Sequence, residues 1–162
     1  FKSGQLCLIK SIKSEVKEDR LCPDQAFWDR AKKSLTGDFR TPKLLTVNET
    51  LTSSGEKLSL QKGQFSVIDQ ESYWVAKIAD EEAVPFLSLR VVFDGINQEL
   101  PPGYCYSDDT GRIKPGRFAS WLIRNPVKLG KLPGLSWNSV KARHRLSKAL
   151  NDVIPALLGD PI

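Results

Sequence analysis

Three carboxylates stand where a folded chain can use them on a substrate. Asp69 and Glu71 lie in Phe65-Ser-Val-Ile-Asp-Gln-Glu-Ser72, and Asp94 closes Val84-Pro-Phe-Leu-Ser-Leu-Arg-Val-Val-Phe-Asp94. In both segments an apolar run of strand character ends on acidic residues. Open α/β sheets place their ligand sites beyond the carboxyl ends of strands, and a strand tip holds a side chain more rigidly than a free loop does. One carboxyl group there can donate a proton, and another can accept hydrogen bonds or stabilise developing positive charge. Each acid also has a plainer use. Asp69 can cap the helix that starts at Ser72, Glu71 suits the first turn of that helix, and Asp94 can be a loop or helix-capping residue at a strand exit.

The elements that must position these groups follow from periodicity and punctuation. Gln5 to Lys10 predicts a short apolar strand that runs into a charged segment, Lys13 to Arg20. Pro23-Asp24 opens a helix to about Leu35, with Asp24 as N-cap or first-turn acid and Ala26, Phe27, Ala31 and Leu35 facing inward. Lys43 to Val47 is the next strand. Ser53-Ser54, with Glu56 and Lys57, starts a short helix that ends near Gly63. Strand Gln64–Asp69, helix Ser72–Glu82 and strand Pro85–Phe93 follow, the last an almost continuous apolar run expected to be covered on both faces. Arg90 interrupts that run and calls for a carboxylate partner. Strands alternating with helices predict a three-layer α/β/α domain on a mixed, largely parallel twisted sheet.

After Asp94 the character changes. Gly95 to Gly116, with Pro101-Pro-Gly103 and Asp108-Asp109, reads as a long loop. Two basic helical segments follow, near Arg117–Arg124 and Ser136–Leu158. The second is expected to bury Ala142, Leu146, Ala149, Leu150, Val153 and Leu157, and to kink or end at Pro155.

With 162 residues, the chain fits a single domain that can bury a real core. No apolar run approaches the roughly 20 residues a membrane-spanning helix needs, and Lys2, Ser3, Gly4 and Gln5 interrupt any signal-peptide pattern at the start. Cys7, Cys22 and Cys105 make an odd count without metal spacing, as in a reduced cytoplasmic protein. His144 is the only histidine, which excludes chemistry that needs two imidazoles. Methionine is absent, so the chain beginning at Phe1 is expected to be a fragment, a processed chain or an incomplete record.

Ile68-Asp-Gln-Glu-Ser72 and Pro85-Phe-Leu-Ser-Leu-Arg-Val-Val-Phe-Asp94 together resemble the purine nucleoside phosphorylase and methylthioadenosine nucleosidase superfamily. The resemblance covers most of residues 1–100 and is closest to the hopanoid-associated phosphorylases. It implies that Glu71 binds the ribose hydroxyls and that Asp94 protonates the purine at N7. Gln70 stands where the family usually carries a Met beneath the ribose, and Phe93 where a small residue usually precedes the acid. Leu6-Cys-Leu-Ile9 resembles a strand from the middle of the family fold, so roughly its first third is expected to be missing, and with it the phosphate site or the water-activating Glu.

The resemblance therefore implies cleavage of the N-glycosidic bond of a purine nucleoside, by phosphorolysis or hydrolysis, with 5′-modified or lipid-linked nucleosides as candidates. It implies no metal or organic cofactor; phosphate is a co-substrate if the reaction is phosphorolysis. The rival reading is a nucleoside-binding domain without turnover, which Gln70 and Phe93 favour. A chain lacking the early strands leaves an unpaired sheet edge, which predicts either a homo-oligomer or an incomplete record of a longer chain. The basic carboxyl-terminal part, from Lys114 to Lys148, accounts for much of the net charge of +5. It reads as a solvated face of amphipathic helices or, more sharply, as a peripheral contact with a membrane or another anionic partner. Nucleic acid is not expected, because no binding motif accompanies the charge.

Overall fold

In the computed structural model, which describes residues 1–49, 51, 53–61, 65–95, 112, 114–126 and 132–159, the predicted first strand is one arm of a bent central strand. Its arms are β1 (Leu6–Leu8) and β2 (Ser11–Ser14), and beside them run β4 (Phe39–Arg40) and β5 (Lys43–Thr46). Cys7 is opposite Arg40 and Ser11 is opposite Lys43, so three residues on one strand face two on the other. This is a β-bulge, and it bends and twists the pair. The bend leaves little unsatisfied. The N–H of Ile9 donates to the Ser88 carbonyl at 2.9 Å and that of Lys10 to the Pro42 carbonyl at 3.0 Å. Trp28 Nε1 donates to the Ile9 carbonyl at 3.1 Å.

Two further strands flank the bent one: β3 (Arg20–Leu21), antiparallel to β2, and β7 (Leu89–Val91), antiparallel to β1. Beyond β5 lies β6 (Val67–Asp69), parallel to it. The pairing is thus mixed, with three parallel and two antiparallel contacts among the described strands. Helices α1 (Gln25–Ser34), α2 (Ser54–Gln61), α3 (Ser72–Glu81), α4 (Pro115–Arg124) and α5 (Leu132–Leu158) complete the described elements.

Three layers follow from which side chains each sheet face buries. Leu6 and Leu8 pack with Ala31 and Leu35 at the end of α1 and with Ala149 and Val153 of α5. On the other face Cys7, Ile9, Ile12 and Leu44 pack with Tyr73 and Ala76 of α3. Alternation along β1 thus sends successive residues to opposite helical layers. Asp24 caps α1 as expected, its carboxylate accepting from the Phe27 amide at 2.8 Å. Arg145 of α5, read in the sequence as part of a basic surface, instead donates to the carbonyls of Gly4 at 3.1 Å and Asp38 at 2.9 Å.

Several expectations change. The charged segment after Lys13 contains the end of β2 and the short strand β3. The expected strand Pro85–Phe93 contracts to β7, whose residues are only half-buried because it lies at the edge of the β4–β1–β7 sheet. Leu150 is exposed, and α5 passes through Pro155 to Leu158. Most of the expected Gly95–Gly116 loop lies outside the described residues. Pro115 and Gly116 open α4, with proline at a position where a missing N–H costs nothing.

The joint of the fold is Asp69. Its carboxylate accepts from Thr46 Oγ1 at 2.8 Å, from the Ser72 amide at 3.2 Å and from the Ser72 hydroxyl. It also pairs with Arg90 Nη2 at 2.8 Å, and that nitrogen donates to Ser72 Oγ at 2.6 Å. Thr46 Oγ1 in turn accepts from the Tyr73 amide at 3.0 Å. One side chain therefore joins β5, β6, α3 and β7. Asp69→Ala should lower stability by about 2–4 kcal/mol, less than a fully buried pair because Arg90 is partly exposed, while Asp69→Asn, which keeps an acceptor, should cost less. Chemical denaturation of the two variants checks this order.

Tyr73 is buried in the α3 layer, and its hydroxyl donates to the Asp19 carboxylate at 2.7 Å. That hydrogen bond, with burial and the nearby charge of Asp19, pushes the phenol from 10.0 up to about 12. The folded state holds its proton more tightly than the unfolded chain does, so this contribution is complete below pH 10 and is lost as pH rises toward 12. The stability difference between wild type and Tyr73→Phe should be constant from about pH 7 to 9 and shrink above about pH 10. Denaturation across that range measures it.

Candidate functional site

The segment Phe65–Glu71 and the segment Arg90–Asp94 form two walls of one cavity of about 580 Å³. Val47, Glu49, Leu51 and Lys57 supply much of the rest. The β5–α2 loop is held in place from two sides. Val47 N–H donates to the Asp69 carbonyl at 2.8 Å, and Asn48 N–H to the Glu15 carboxylate at 2.7 Å.

Asp69, Gln70, Glu71, Phe93 and Asp94 all line this cavity. They come together although the strands that lead to them are not hydrogen-bonded neighbours and β7 runs antiparallel to β1. What spans β6 and β7 is the Asp69–Arg90 pair, which supplies the carboxylate partner that Arg90 requires.

Each acid meets different surroundings. Asp69 is saturated by its structural donors and has the capping role expected of it. Glu71 is exposed, and its side chain makes no capping bond to α3. Asp94 is half-buried, and its Oδ2 is in contact with the ammonium of Lys57, a residue only 8% exposed. Gln70 is exposed and donates from Nε2 to the Asn48 carbonyl at 3.3 Å. Phe93 does not enter the core; it sits at the cavity with 38% exposure.

Lys57 is the residue that sequence reading did not single out. Its helix was legible, because Ser53 and Glu56 form a reciprocal capping box: Glu56 N–H donates to Ser53 Oγ at 3.3 Å, and Ser53 N–H donates to the Glu56 carboxylate at 3.1 Å. Nothing local announces that the next side chain reaches Asp94, 37 residues further along the chain.

Other reactive groups lie elsewhere. Cys7 is fully buried, and burial pushes its thiol up to about 11, away from nucleophilic use. Cys22 is exposed, Cys105 lies outside the described residues, and His144 is exposed. Among the described residues no group of three or more His, Cys, Asp or Glu side chains could hold a metal ion. Nor is any described helix long and apolar enough to cross a membrane.

No family model matches the chain, and no curated protein matches it by sequence. Solved structures do. The 5′-methylthioadenosine/S-adenosylhomocysteine nucleosidase of Neisseria meningitidis, in complex with methylthio-immucillin-A, superposes with a TM-score of 0.54 at 13% identity, over 60% of this chain and 52% of that one. The Campylobacter jejuni enzyme gives 0.56 at 16% identity, over 62% and 52%. The Helicobacter pylori enzyme, with butyl-thio-DADMe-Immucillin-A, gives 0.58 at 12% identity, over 93% of this chain and 62% of that one. The chain thus spans about half the length of the first two. What this likeness establishes is the fold, a three-layer α/β/α arrangement on a mixed sheet that matches the nucleoside phosphorylase and nucleosidase type.

Proposed function

We propose that this chain forms one domain and carries the purine nucleoside site of an enzyme that cleaves the N-glycosidic bond, with Asp94 and Glu71 serving the base and the ribose. The observation that carries the reading is the shared cavity. Glu71 and Asp94 both line it, and its volume of about 580 Å³ falls within the roughly 300–1,000 Å³ usual for small-molecule sites. Breaking the bond makes the ribose oxocarbenium-like and leaves negative charge on the base. Asp94 delivers a proton to purine N7. Glu71 accepts from the ribose hydroxyls and stabilises the charge that develops on the ring. Gln70 contacts the sugar beside it, and the ring of Phe93 packs near the base.

Hydrolysis is the form of the reaction we propose, supported by the solved structures of similar fold, which are nucleosidases. Glu49, Asp69, Glu71 and Asp94 face Lys57 and Arg90, both engaged with carboxylates, and an anionic lining suits a cationic transition state. No metal or organic cofactor takes part in the reading.

A homo-oligomer is supported by the exposed apolar face of Trp74, Val75 and Ile78 on α3, continued by Val84. Peripheral contact with an anionic surface is supported by α4, where Phe118, Trp121 and Ile123 lie among Arg117, Arg124 and the preceding Lys114.

In the whole protein, Asp94→Asn keeps shape and hydrogen bonding but removes the acid, so turnover of a purine nucleoside should fall by roughly 10²–10⁴ with binding largely kept. Glu71→Gln should weaken binding and turnover together, since the ribose contact forms in the ground state and strengthens as charge develops. Calorimetry with the nucleoside beside a base-release assay separates the two effects. Unchanged turnover in Asp94→Asn would end the assignment, and binding without turnover in the unaltered protein would favour a silent binding domain.

A further inference from the structure

We infer that the proton given to the leaving base originates on Lys57 and reaches it through Asp94, so that the pair is the acid. The inference rests on the glycosidic-cleavage reading above and assigns a residue to it.

Lys57 is the least exposed charged residue of the cavity wall at 8%, and its ammonium touches Asp94 Oδ2. In a contact ion pair the dissociable proton sits on nitrogen, and the carboxylate has none to give. The other ionisable side chains lining the cavity are Glu49, Asp69, Glu71 and Arg90. Arg90 pairs with Asp69 at 2.8 Å and, as a guanidinium, does not lose a proton in proteins. Asp69 is occupied by the Thr46 and Ser72 donors as well. The ammonium paired with Asp94 is therefore the proton source beside it. The capping box that starts α2 fixes where that ammonium is delivered.

The step balances without an outside reagent other than water. As the bond from the anomeric carbon to N9 breaks, its electron pair moves onto the purine. Asp94 takes a proton from Lys57 Nζ, leaving a neutral amine, and passes it to N7, which returns Asp94 to the carboxylate. Water adds to the ribosyl cation and loses a proton, which returns to Lys57 through solvent. The sum is nucleoside plus water giving ribose plus neutral base.

An ion pair that only fixes Asp94 would tolerate arginine at position 57, whereas a proton source would not. The test measures kcat and KM for wild type and Lys57→Arg on a purine nucleoside and on 4-nitrophenyl riboside, whose leaving group departs without protonation. For Lys57→Arg we expect the purine nucleoside kcat to fall by roughly 10²-fold with KM changed by less than about threefold. Its rate on the nitrophenyl riboside should match wild type. The purine rate of the variant should also rise steeply as pH is lowered, where wild type stays flat, because Asp94 must then collect its proton from solvent. Wild-type kcat on the nucleoside in Lys57→Arg, or equal losses on both substrates, would reduce Lys57 to a structural partner and overturn the inference alone. A wild-type protein that cleaves neither substrate would overturn the glycosidic-cleavage reading and the inference with it.

Discussion

The structure depends on a guanidinium brought to the inner side of β7. Arg90 sits in a strand whose neighbours are Leu89 and Val91, so its charge is carried toward the α3 layer and must be met there. A partly desolvated charge without a partner is strongly destabilising. Asp69 meets it, and in doing so it also binds the first amide of α3 and the hydroxyl of Thr46 on β5. Three elements that are not all hydrogen-bonded to β7 are thereby held against it. The gap that remains between β6 and β7 is the cavity.

The bent strand provides the second constraint. Had β1 and β2 been straight, β7 on one arm and β5–β6 on the other would diverge along the sheet. The extra residue between Cys7 and Ser11 turns the two arms, and Trp28 seals the turn by binding the Ile9 carbonyl. The bulge faces Pro42, which has no N–H to donate, so the partner strand is interrupted where the central one is. Bulge, proline and tryptophan agree on one geometry, and that agreement at several levels is what lets a sequence specify a fold.

Much of this was legible where the cause is local. Asp24 announced the start of α1, Lys43 to Val47 carried the apolar run of β5, and Ser72 opened α3 where expected. The three acids were visible as strand ends, and the need of Arg90 for a carboxylate followed from its apolar neighbours. Features set by distant partners were not legible. The direction of β7 depends on which strand it meets, and periodicity carries no direction. Strand β3 is two residues of a polar segment that become a strand only because β2 lies alongside. Lys57 looked like any lysine early in a helix, since its partner is far away in the chain. Arg145 looked like one of many surface cations until the backbone carbonyls of Gly4 and Asp38 gave it a structural place.

One functional group, the carboxylate, acquires three different characters at three positions from its neighbours alone. Asp69 is surrounded by donors on α3, β5 and β7, and every oxygen is committed to holding the fold. Asp94 touches one ammonium and leaves the rest of its carboxylate toward the cavity. Glu71 follows the end of β6, its side chain makes no bond to the helix it precedes, and it stays exposed at the rim. Environments that separate like groups are how a site assigns distinct tasks to the same chemistry. The order matters physically. Because Asp69 satisfies the amino end of α3, Glu71 is released from that duty, and because Arg90 is neutralised by Asp69, Lys57 can pair with Asp94. The structural carboxylate thus makes the other two available.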